Sequence, residues 1–117
     1  MDVPELVRAL LAGDLLTARQ SVADAQRAHV QWERIEQPSG LNERELCVAA
    51  GIVELLASRS GGSPPSWTQT IGAMRELLVL DPGLEQMPRS FARAQTAGPE
   101  PLRRRNLIAL PDFLAVA

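Results

Sequence analysis

Asn42-Glu43-Arg44-Glu45-Leu46-Cys47-Val48-Ala49-Ala50-Gly51-Ile52-Val53-Glu54-Leu55-Leu56-Ala57 is the stretch on which the fold turns. Asn42 with Glu45 three residues later has the spacing of a capping box, in which side chain and backbone exchange hydrogen bonds at a helix start. Behind it Leu46, Ala49, Ala50, Val53, Leu56 and Ala57 return at the helical period, and Ile52 and Leu55 widen the apolar stripe. A helix apolar over so much of its circumference belongs at the centre of a fold. Its alanines and glycine admit a close neighbour.

Working towards the N-terminus, the sequence predicts a helical hairpin. Pro4 suits the first turn of a helix after Asp2, and Leu6, Val7, Leu10 and Leu11 make one stripe. Gly13 supplies a left-handed stop and Asp14 a cap for the next helix. There Leu15, Ala18, Val22, Ala25 and His29 recur at steps of three and four, which places His29 at the rim of a core. Residues 30 to 40 lose the period and end in Pro38, Ser39 and Gly40, a connection pinned by Trp32 and Ile35.

Towards the C-terminus the pattern is less regular. Ser60 to Ser66, with two glycines and two prolines, breaks the chain. Ser66 is placed to cap a short helix at Trp67, and Leu77 to Leu80 form an apolar run without a clear period. Leu84, Met87, Phe91 and Ala94 step helically, but Pro88 falls among them. A proline inside a helix costs about 3 kcal/mol, so a start at Pro88 with Leu84 in a preceding turn is the alternative. Gly98, Pro99 and Pro101 end that helix. Arg103, Arg104 and Arg105 follow, and Leu107, Ile108, Leu110, Pro111, Phe113, Leu114 and Val116 close the chain. The reading is an all-α, single compact domain over residues 1–117, of about four to six helices, with a helical body at 1–60 and a less regular, partner-binding half at 61–117.

Composition narrows the function. The 117 residues are 45% hydrophobic, enough for one core and too few for two domains. No run of about 18 apolar residues offers a membrane span, and the Asp2-Val3-Pro4-Glu5 opening is unlike a basic, apolar leader. With a single cysteine, Cys47, these features predict a cytoplasmic chain without membrane partners. The formal charge of -2 argues against a general nucleic-acid binder. That charge is uneven, with 7 arginines against 12 acids through Gln86 and 5 arginines against 2 acids after it.

Catalytic equipment is not legible, so the expectation is a protein that is not an enzyme, with no catalytic residues, no cofactor and no metal. His29 is the only histidine, which excludes histidine-rich metal sites, and a Cys47–His29 dyad would need two helices to meet by accident. Glu33, Glu36, Glu43 and Glu45 read as a solvated surface. Gly61 and Gly62 lack the lysine and spacing of a phosphate-cradling loop. The arginines remain. Arg103, Arg104 and Arg105 are forked donors for carboxylates or phosphates, joined by Arg89 and Arg93 four residues apart on one helix face.

One resemblance adds to this. Pro65-Ser66-Trp67, Leu78-Val79-Leu80-Asp81-Pro82, Met87-Pro88, Pro99-Glu100-Pro101-Leu102-Arg103-Arg104-Arg105-Asn106-Leu107-Ile108 and Phe113-Leu114-Ala115 together resemble the ending of small bacterial helical proteins encoded beside nucleotidyltransferase-fold toxins. The likeness covers about the last 50 residues, and the Arg-for-Lys usage suits a GC-rich bacterial genome. It implies an antitoxin, the protein half of a toxin–antitoxin system, that neutralises its cognate toxin by direct contact. The contact residues it implies are Arg89, Arg93, Arg103, Arg104, Arg105, Leu107, Phe113 and Leu114, meeting an acidic cleft. A DNA-binding regulator or a dimeric helical module is the alternative, though no helix-turn-helix stands out in the N-terminal half. DNA is therefore not favoured as a partner, and homo-oligomerisation stays open.

Overall fold

The computed structural model describes residues 1–115; Val116, counted above with the apolar ending, lies outside the described residues. Five α-helices run in chain order: α1 Val3–Leu11, α2 Leu15–Arg27, α3 Glu43–Arg59, α4 Pro88–Ala97 and α5 Glu100–Arg103. Two short strands, β1 Leu78–Val79 and β2 Leu107–Ile108, pair in parallel with Leu78 opposite Leu107. The class is mostly all-α with an irregular C-terminal part, as the sequence predicts.

The first three helices start at side-chain caps, whereas α4 and α5 have none and carry a proline in the first turn instead. The Asp2 carboxylate accepts from Glu5 N at 3.0 Å and Asp14 from Thr17 N at 3.1 Å. Gly13 turns the hairpin at φ 74°. At α3 both halves of the capping box form, with Asn42 Oδ1 accepting from Glu45 N at 2.8 Å and Glu45 Oε1 from Asn42 N at 3.0 Å.

Every residue of α3 from Cys47 to Ala57 is buried, so it is the central element, with α1, α5 and the 3₁₀ turns at Trp32–Arg34 and Ser66–Thr70 packed around it. The main core joins α1, α2 and α3 to Leu80, Leu102, Leu107, Phe113 and Leu114. A smaller cluster of Leu84, Ala94 and Ile108, with Phe91 and Leu110 against it, seats α4 on the strands. The 30–40 connection is pinned as expected. Trp32 Nε1 donates to Ser60 Oγ at 3.1 Å, and the Trp67 indole donates to Ile35 O at 2.8 Å.

Two local expectations are corrected, and two open readings are resolved. His29 lies beyond the end of α2, exposed at φ 50°, because the helix stops at Arg27 before its apolar stripe would reach it. Ser66 does not cap; the turn at Ser66–Thr70 is 3₁₀, held by Thr68 Oγ1 donating to Pro65 O and Thr70 Oγ1 to Trp67 O. The ambiguous apolar run at Leu77–Leu80 contains β1, with Leu78 N and Leu80 N bonded to Asn106 O and Ile108 O. At Pro88 the alternative start is the one realised: α4 begins there, and Leu84 sits in a 3₁₀ turn.

Candidate functional site

The arginines divide into two sets with different work. Arg105 is 2% exposed. Its Nη1 donates to Glu54 Oε2 at 2.5 Å and Pro101 O at 2.8 Å, and its Nη2 donates to Thr68 O at 2.7 Å. Glu54, buried on α3, also accepts from Arg104 and, at 3.4 Å, from Gln69. Two guanidiniums therefore converge on one carboxylate in the interior. A buried charge is tolerated only when paired and hydrogen-bonded, which this cluster achieves save for Arg105 Nε. The arrangement ties α5 and the 66–70 turn to α3.

Arg103 acts on α4. Its Nε donates to Gly98 O at 2.7 Å, at the C-cap of α4, where a cation meets the negative end of the helix dipole. Gly98 itself is required there: a Cβ would lie 2.5 Å from both Ala94 O and Ala109 O. The helix so held exposes Arg89 and Arg93 one turn apart. No acid lies within α4, and among the described residues neither arginine forms an ion pair. Ala94 is its one buried residue, and Met87, just before it, is 47% exposed.

The contact residues expected from sequence are thus not brought together. Arg105, Leu107, Phe113 and Leu114 are each no more than 3% exposed, so a partner docking on the folded chain cannot reach them. That part of the expectation is corrected. The arginine neutralises Glu54, and the apolar three complete the core rather than covering a neighbour. Arg104 keeps 39% of its side chain exposed but is engaged by Glu54 and lies 3.9 Å from Glu100. Arg103 is partly buried; Arg89 and Arg93 are exposed and, among the described residues, in no ion pair.

The Cys47–His29 dyad does not form. The Cys47 thiol donates to Gly72 O at 3.5 Å and weakly to Arg105 O at 3.9 Å, and burial pushes its pKa up, which keeps it protonated. It borders a groove of about 850 Å³ between the start of α3 and residues 70–76. Among the described residues no group of three His, Cys, Asp or Glu is placed to hold a metal, and no helix is long and apolar enough to cross a membrane. Comparison with protein-family models, curated proteins and solved structures finds no match.

Sequence reasoning missed Glu54. The signal was present: it is the one charged residue between Cys47 and Ala57, in a helix buried all round, and such a carboxylate demands a cation. Which cations answer it was not legible, since Arg104 and Arg105 lie 50 and 51 residues further along.

Proposed function

We propose that this chain is a non-enzymatic protein-binding domain, the antitoxin-type partner of a nucleotidyltransferase-fold toxin, and that it docks through the outer face of α4. The observation that carries the reading is the Arg89 and Arg93 pair, exposed, unpaired among the described residues and on a helix without acids. Guanidiniums so displayed suit bidentate contact with carboxylates lining an acidic cleft. Met87 and the half-buried Phe91 add apolar contact beside them. The resemblance of the last 50 residues supplies the class of partner.

Mixing the chain with its proposed partner, a nucleotidyltransferase-fold toxin, is expected to abolish the toxin's activity at equimolar ratio. Full toxin activity in the presence of excess chain overturns the reading. Deleting residues 99 to 117 is not a suitable control, because it removes Leu102, Leu107, Ile108, Phe113 and Leu114 from the cores and Arg105 from Glu54.

A further inference from the structure

The segment from Leu110 to Ala115 is attached to the body in an unusual way. Leu110 N donates to Asp81 Oδ2 at 2.7 Å, while Arg59, the last residue of α3, donates from Nη1 to Phe113 O at 2.5 Å and from Nη2 to Pro111 O at 3.1 Å. An acid thus holds an N–H and a cation holds two carbonyls, and among the described residues neither side chain has an ion-pair partner. Burial raises the Asp81 pKa and lowers that of Arg59, so both charges are less favourable here than in water. Leu114 adds strain, since it sits at φ 57°, a region that branched, bulky side chains avoid. Against these costs stand the burial of Phe113 and Leu114 and the turn bonds from Phe113 N to Leu110 O at 3.0 Å and from Ala115 N to Asp112 O at 2.9 Å.

We propose that Leu110–Ala115 is a latch that opens as a unit of its own, ahead of the helical body, baring Phe113, Leu114 and the apolar surface they cover. Opening returns Arg59 and Asp81 to water and lets Leu114 leave the left-handed region. None of the caps of α1, α2 and α3 depends on the segment. The inference does not use Arg89 or Arg93, which carry the protein-binding reading, although Leu110 also packs in the cluster beneath α4.

Hydrogen exchange on the full chain tests it. In the wild type the amides of Leu110, Phe113 and Ala115 are expected to exchange at least about 10-fold faster than those of Val48 to Leu56, as separate opening units do. Arg59→Met keeps the aliphatic stem but removes both charge-assisted bonds, and should speed the three tail amides by a further 10-fold or so while α3 changes little. Equal protection of tail and α3 in the wild type overturns the proposal, as does parallel acceleration of both in the variant. Should the variant fold poorly, the wild-type comparison alone decides.

Discussion

Replacing Glu54 by Leu removes the one carboxylate between two guanidiniums while keeping a similar volume on the apolar face of α3. Arg104, with 39% of its side chain exposed, can turn into water. Arg105, with 3% of its side chain exposed, cannot, and keeps only the carbonyls of Thr68 and Pro101. Breaking a buried pair from one side costs about 3–5 kcal/mol. At this chain length 1 kcal/mol moves Tm by about 4 °C, so the expected fall is about 12–20 °C in thermal circular dichroism. Arg105→Met should cost less, about 2–3 kcal/mol, because Glu54 retains Arg104 and the main loss is two unpaired carbonyls. Combining the two changes should then cost clearly less than the sum of the singles, since no buried charge remains. A loss below about 1 kcal/mol for Glu54→Leu would refute the reasoning, for it would mean that the Arg105 guanidinium rehydrates without disturbing the core.

Three further expectations concern neighbouring contacts. Gly98→Ala forces a Cβ to within 2.5 Å of two backbone oxygens, which cannot move aside as side chains do, so urea unfolding should show a loss above about 2 kcal/mol; an unchanged midpoint contradicts the close approach. Gly51→Ala gains about 1 kcal/mol of helix propensity but presses on Leu102 Cδ2 and Leu107 Cδ1 at 3.0 Å. Overpacking of that kind costs about 1–3 kcal/mol, so a net loss near 1 kcal/mol is expected, and a higher Tm would show that the seam yields. Asp81, whose pKa is raised by burial and by Asp112 against the opposing Leu110 N–H and Arg19, disfavours the folded state once ionised. Stability from this group therefore grows as pH falls through its folded pKa and is lost as pH rises through it. The Tm advantage of Asp81→Asn over wild type should accordingly widen from pH 4 to pH 7; a gap that narrows with rising pH contradicts the sign.

How far the fold is legible depends on what each element rests upon. The hairpin of α1 and α2 and the whole of α3 announce themselves, because caps and apolar period act within a few residues of each other. The strands do not: β1 and β2 are two residues each, and their pairing joins Leu78 to Leu107 across a separation no local pattern encodes. The same applies to Arg105. An arginine run reads as solvated because most arginines are, and only a partner 51 residues away, on α3, makes Arg105 interior. Leu107, Phe113 and Leu114 looked like an unsatisfied surface for the complementary reason. The main core built on α1, α2 and α3 takes up all three.

The α4 face is best tested by calorimetric titration of the proposed nucleotidyltransferase-fold partner with wild type and with the Arg89→Glu, Arg93→Glu double variant at fixed salt. Both arginines are exposed and unpaired among the described residues, so the variant should keep its Tm within about 2 °C. Each lost charged contact is worth about 2 kcal/mol or more, and its reversal adds repulsion, so Kd should rise at least about 100-fold. Equal affinity of the two proteins would remove α4 from the interface.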